Sequence, residues 1–266
     1  MKSQLFLSFL FLLCPLLSIS FLKISNSKIA TTQIGTISCV FLITQTHTTP
    51  SNSNIQMLGS AAYYAVLAGS AVTIMGPTKL IGSAGVYPTG SLIGNEITYT
   101  AGEPHVADTY AQTAQKDLAK AYDKLLTYPH LKFNNLDLSG QVLYPGVYAF
   151  SSSALLSAIH PLTLDARGDL NAVWVFKIVS TFTAVESSKI NIINGGLPDN
   201  VYWQVGSSAT VGANAKIVGN IIAFYSITFG AESTIDGRIL AVNGAVDMNS
   251  NIVKSVDCTN SLINII

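Results

Sequence analysis

Charge is what this sequence has least of. Only 11% of its 266 residues are Asp, Glu, Lys or Arg, fourteen of each sign, and the formal net charge is zero. Such a chain carries neither the basic footprint that neutralises nucleic-acid phosphates nor an acidic tail. Cysteine is scarce too, with three residues. Cys14 lies in an apolar leader, which leaves Cys39 and Cys258, a pair available in an oxidising compartment only if the segment 21–55 is retained. His47, His105, His130 and His160 are scattered, and no Cys/His spacing resembles a zinc site. An Asn-x-Ser/Thr sequon is also lacking, and the leader run Leu5–Leu17 is short for a membrane span.

Apolar residues are abundant, at 49%, and a chain of this length can form one large all-β domain. With so little charge, Ser, Thr, Asn and Gly must cover the surface, which favours a surface adapted to something uncharged. Lys2, the run Leu5–Leu17 and the small-residue end Ser18-Ile19-Ser20 have the layout of a signal peptide, 1–20, and predict export; a membrane anchor is the alternative. The segment 21–55 holds a second apolar run, Ile34 to Ile43, in a Ser/Thr/Asn-rich context. Three readings stand for it: a pro-segment or linker, part of a second targeting signal, or a misplaced gene start.

A repeat organises the rest. Lys216-Ile-Val-Gly-Asn-Ile-Ile-Ala223 recurs as Thr234-Ile-Asp-Gly-Arg-Ile-Leu-Ala241 at a spacing of eighteen. Ser208-Ala-Thr-Val-Gly212 recurs as Ser226-Ile-Thr-Phe-Gly230 and more loosely as Ala245-Val-Asp-Met-Asn249. A period near twenty, built of short strands punctuated by Gly and Asn, predicts stacked coils, none of which can bury its apolar side alone. Strand alternation then turns Ala209, Ile227 and Val246 inward. Outward it sends Ser208/Thr210, Ser226/Thr228 and Ala245/Asp247, as two parallel files. A single outward Thr is an ordinary strand residue; small-x-Thr on successive coils is not. Ala71-Val-Thr73, Thr181-Phe-Thr183, Ser91-Leu-Ile93 and Ser153-Ala-Leu155 extend the pattern, the last two departing from Thr. Asp247 reads either as a solvated residue ending the file or as a group within it, with a slight preference for the end.

Between 104 and 128 the period changes from two to 3.6. Pro104 suits a first turn, Asp108 lies near the positive end of the dipole, Lys120 and Lys124 lie near the other end, and Pro129 is the stop. Val106, Tyr110, Ala114, Leu118, Tyr122 and Leu125 form one apolar stripe, so a single helix should cover a sheet face. The run Val173–Ile178, apolar at nearly every position, should be buried on both sides.

Several of these stretches occur together in one known family. Leu58-Gly-Ser-Ala61, Ile81-Gly-Ser-Ala-Gly-Val-Tyr-Pro88, Pro145-Gly-Val-Tyr-Ala-Phe150, Leu162-Thr-Leu-Asp-Ala-Arg-Gly-Asp169, Ala172-Val-Trp-Val-Phe-Lys-Ile178 and Val201-Tyr-Trp-Gln-Val-Gly206 stand in its order. Over roughly 56–257 the chain resembles the secreted microbial ice-binding (antifreeze) proteins of DUF3494 type. The resemblance implies a mainly β fold, an irregular right-handed β-solenoid of triangular cross-section with one long α-helix alongside, and a tail at 258–266. It further implies a non-enzymatic protein, without cofactor or metal, that binds ice through one flat face and inhibits growth and recrystallisation. Carried over by position, that face consists of Thr73, Ile93, Leu155, Thr183, Thr210, Thr228 and Asp247, flanked by Ser91, Ser153, Thr181, Ser208, Ser226 and Ala245. The partner is the ordered water of an ice surface, with no nucleic acid and, once the signal is removed, no membrane; a secreted monomer is expected.

Two rival readings use the same features. A polysaccharide-cleaving enzyme would need clustered carboxylates or bound calcium, and Asp165, Asp169, Glu186, Asp199, Glu232, Asp236 and Asp247 show no repeated outward placement. An extracellular adhesion or glycan-binding module could cite Arg167-Gly168-Asp169 and exposed aromatics, but turn chemistry accounts for that tripeptide.

Overall fold

The eighteen-residue repeat is a strand register. In the computed structural model, which describes residues 19–24, 27–34, 37–43, 57–133 and 135–255, Lys216–Ala223 pairs in parallel with Thr234–Ala241, each residue opposite its repeat partner. Both strands bend at a registered glycine. A Cβ on Gly237 would lie 2.0 Å from the carbonyl oxygen of Gly219, so only glycine allows the two coils to stack there.

Residues 1–47 and 48–266 form two compact units. In the first, Ile19–Ile24, Ser27–Ile34 and Ile37–Ile43 make an antiparallel meander, with most of the expected export segment outside the described residues.

The second unit is mainly β, with parallel strands and one long helix. Each pass of the chain contributes a strand to three files in turn, as in Val201–Val205, Ala209–Val211 and then the first half of Lys216–Ala223. The apolar core between the files includes Trp174, Phe176, Phe182 and Trp203. Trp203 stacks on Phe176 at 3.9 Å between centroids and on Phe182 at 4.9 Å. Its indole N–H donates to the Val218 carbonyl at 2.9 Å, which removes the cost of burying that polar group.

Spatial order departs from chain order at one place. Tyr64–Ala68, Ala71–Met75 and Thr78–Ile81 stack on Thr234–Ala241, Val246–Asn249 and Ile252–Lys254, so the first complete pass is laid against the last. A buried ion pair lies close by. Arg238, wholly buried, donates from Nη1 to Asp199 Oδ1 at 2.7 Å and to Asn220 Oδ1 at 2.8 Å, and from Nε to the Ala62 carbonyl at 2.8 Å. It thereby ties the N-terminal turn Gly59–Tyr63 to three C-terminal segments.

The helix is shorter than expected. It spans Thr109–Thr127, and Asp108 is its cap, accepting from the Ala111 N–H at 2.7 Å. Pro104–Val106 instead forms a strand on Ser83–Val86. Backbone pairing outweighs the helical spacing there, and proline is tolerated because it opens an outermost strand. Val106 and Tyr110 are accordingly exposed, and the buried stripe runs Ala111, Ala114, Gln115, Leu118, Ala121, Tyr122 and Leu125.

This stripe packs on the outer side of one strand file, against Val175, Tyr202, Ile222 and Leu240. Trp174–Ile178 is therefore buried on both sides, as its continuous apolar run predicts. Lys177, in that strand, caps the helix from below: its ammonium donates to the carbonyls of Leu126 at 2.7 Å and Tyr128 at 3.0 Å. Burial pushes the Lys177 amine below the usual lysine range.

Candidate functional site

The helix-free strand file that carries the repeated Ser/Thr pattern is a seven-stranded parallel sheet. Its order is Ala154–Leu156, Phe182–Ala184, Ala209–Val211, Ile227–Phe229, Val246–Asn249, Ala71–Met75 and Ser91–Ile93. Each short strand alternates as its sequence dictates. Ala154 and Leu156, Phe182 and Ala184, Ala209 and Val211, Ile227 and Phe229, Val246 and Met248, and Val72 and Ile74 turn into the core.

The middle residues then fall in one unbroken register: Leu155, Thr183, Thr210, Thr228, Asp247, Thr73 and Ile93. At the usual spacing of parallel strands, about 4.8 Å, the file is about 29 Å long. Leu155, Thr210, Thr228, Asp247 and Ile93 are exposed, while Thr73 and Thr183 are half-buried. All seven residues expected to make the central file are brought together.

Two expectations change. Asp247 does not end the file but lies inside it, between Thr228 and Thr73, because the first pass stacks on the last. Chain order cannot reveal that closure. The flanking residues are also less free than strand alternation suggests. Ser153, Thr181, Ser208, Ser226 and Ala245 stand one residue before their strands and are half-buried, whereas Ser91 is exposed. Ser208 Oγ accepts from the Ser226 N–H at 3.3 Å, Ser226 Oγ accepts from the Ala245 N–H at 3.2 Å, and Thr181 Oγ1 donates to Ser153 Oγ at 2.9 Å. These hydroxyls brace one coil to the next, a common use of Ser beside backbone groups.

Two members were missed. Ala71 pairs with Ser91 and completes the flanking file, and its small-x-Thr setting was a visible signal. Asp137 bridges to Leu155 and closes the central file at that end. Its carboxylate is occupied, accepting from the backbone N–H groups of Ser139 at 2.9 Å and Ser157 at 3.2 Å and from the Ser157 hydroxyl at 2.8 Å. Only the Leu136-Asp137-Leu138 alternation pointed to it. The tripeptide Arg167-Gly168-Asp169 is a turn, with Arg167 and Gly168 both at positive φ and the Arg167 guanidinium 3.4 Å above the Tyr144 ring.

A corner fixes the edge of the face beyond each threonine. Ser187, Asn214, Glu232 and Ser250 repeat a left-handed conformation on successive passes, joined by the bonds Asn214 N–H to Ala231 O at 2.8 Å and Glu232 N–H to Asn249 O at 3.1 Å. The turn is thus repeated on these four successive coils, which keeps their outward residues in step.

Comparison with known proteins gives the chain a family. The sequence profile of the ice-binding-like family matches residues 66–254, which include the whole helix and all seven strands of the face. The chain belongs to the ice-binding-like family. An ice-binding protein of Nostoc sp. (strain HG1) is 46% identical over 205 residues, 76% of this chain and 75% of that protein. Two solved structures share the fold. The ice-binding protein of the Antarctic ascomycete Antarctomyces psychrotrophicus has TM-score 0.71 and 33% identity, covering 74% of this chain and 97% of its own. One from an Antarctic biological consortium has TM-score 0.70 and 38% identity, covering 73% and 88%.

Proposed function

We propose that this ice-binding-like chain binds ice through the file Leu155, Thr183, Thr210, Thr228, Asp247, Thr73 and Ile93, and so inhibits ice growth and recrystallisation. The observation that carries this reading is the unbroken register of those outward positions over seven parallel strands. A threonine methyl favours ordered water around it, its hydroxyl both donates and accepts, and its branched Cβ limits the rotamer. Held by the ladder, such groups retain waters in a fixed array, and many weak contacts add because little ordering entropy remains to be lost on adsorption. Adsorbed molecules then block growth between their attachment points, with nothing chemically converted, so no catalytic role is assigned.

The same reading takes the coil as a right-handed β-solenoid of triangular section, with the helix alongside one side and the threonine file on another. It takes the protein as secreted, which the leader composition supports, and as acting as a monomer. Purified protein added to a single ice crystal held just below its melting point tests the function. Shaping or arrest of the crystal, with suppressed coarsening of polycrystalline ice, is the expected result; growth identical to buffer from folded protein overturns it.

A further inference from the structure

We infer that Asp247 divides the face into two separate ice-contacting patches, and that the patch Leu155, Thr183, Thr210 and Thr228 carries most of the adsorption. This inference rests on the ice-binding reading above. Asp247 stands fifth of the seven registered positions and is exposed. Unlike the Asp137 carboxylate, which is filled by three protein donors, the Asp247 carboxylate has no hydrogen-bond or ion-pair partner among the described residues.

The chemistry of the two side chains is opposed. A hydroxyl donates one hydrogen bond and accepts others, as each water of an ice lattice must do both; an ionised carboxylate only accepts. Waters around Asp247 must therefore all turn hydrogens toward it. Its nearest file neighbours, Thr228 and Thr73, are each about 4.8 Å away, so they share those waters. Seating the face on ice also strips water from an unpaired charge, which is costly.

A second observation separates the far patch. Beside Thr73 and Ile93 the surface opens into a notch of about 340 Å³, lined also by Met75, Asn95 and Glu96. Met75 and Ile93 project, being 61% and 57% exposed. The face beyond Asp247 is therefore stepped and carries Glu96 at its margin, whereas the near side holds three threonines in a row and ends at Leu155 and Asp137, whose carboxylate is filled by protein donors.

Ice-crystal shaping by the full protein and by four variants, Asp247→Thr, Asp247→Glu, Thr73→Tyr and Thr210→Tyr, decides the matter, with circular dichroism and melting checking each fold. Threonine at 247 would make five in a row, and the protein concentration needed to arrest growth should fall by about two- to tenfold, the equivalent of one additional net hydrogen bond. Asp247→Glu, which keeps the charge, should not improve on the parent. Thr73→Tyr should weaken arrest several-fold less than Thr210→Tyr, which should remove it. The inference is overturned if the parent arrests ice while Asp247→Thr is no better, or if Thr73→Tyr is as damaging as Thr210→Tyr. A parent without effect on ice would instead overturn the functional reading itself.

Discussion

The threonine file and the lysine-bearing file are made by the same passes of the same chain, one corner apart. On the first, the outward central residues of successive coils are Thr183, Thr210, Thr228, Asp247 and Thr73. On the second, Lys189, Lys216, Thr234, Ile252 and Lys79 follow one another in register, with Lys254 and Asp236 beside them as an ion pair at 3.3 Å. Coil spacing is common to both, so spacing alone cannot make a binding face. What differs is the outward side chain and the continuity beneath it. Threonine is held by its branched Cβ, while lysine carries a mobile, strongly hydrated charge. The threonine ladder is unbroken over seven strands, whereas the lysine file crosses from one sheet to another by the single bridge Lys189 to Lys216.

If this contrast is right, stability and activity should separate according to which part of a coil is altered. The largest change is expected where no face can be altered alone. Removing Arg238 as Arg238→Ala leaves Asp199 buried without its cation and should cost about 3–5 kcal/mol in urea unfolding. Loss of less than about 1 kcal/mol would show that the buried pair does not hold the first pass to the last. Next, Thr183→Val and Thr228→Val keep shape and β propensity but delete a hydroxyl. Each should weaken adsorption by about 1 kcal/mol, near fivefold in effective concentration, with an unchanged melting temperature. Equal activity in the double valine variant would assign recognition to the methyls alone.

A smaller effect belongs to the helix on the remaining side. Asp108→Ala should cost about 1 kcal/mol and Asp108→Asn almost nothing, because asparagine caps as well as aspartate. The Ala111 N–H, with the His105 side chain, holds the Asp108 carboxyl below the ordinary aspartate value of 3.8. Its folded pKa being the lower, its contribution is complete above pH 3.8 and is lost as pH falls through the depressed value. Parent and Asp108→Asn stabilities should therefore diverge only in acid, and divergence near neutral pH would contradict the assignment. Least of all should come from Lys254→Ala: with both partners half-exposed, the pair with Asp236 is worth under about 1 kcal/mol, and ice activity should not move.

The parts legible in the sequence were those set by local alternation. Ser-x-Thr before a glycine placed Thr210 and Thr228 outward, Thr-x-Thr placed Thr183 with them, and the spacing of eighteen matched the register of Lys216 on Thr234. Long-range closure was not legible. Nothing near Asp247 says that Thr73, far away in the chain, becomes its neighbour, so an interior residue reads as a terminal one. Side-chain bonds to the next coil were likewise hidden: Ser208 and Ser226 have the composition of a wet surface, yet they brace the ladder. At the helix start, Val106 and Tyr110 kept the helical step while backbone pairing took Pro104–Val106 into a sheet.

The central claim is that the threonine file, rather than the coil as such, meets ice. Its most direct measurement is the adsorption of fluorescently labelled protein to a single ice crystal, comparing Thr210→Tyr with Lys216→Tyr, two equally bulky changes on neighbouring files of one coil. With both variants folded, Lys216→Tyr should coat the crystal as the parent does and Thr210→Tyr should be excluded from it. Equal adsorption of the two, or loss in Lys216→Tyr alone, would contradict the assignment of the face.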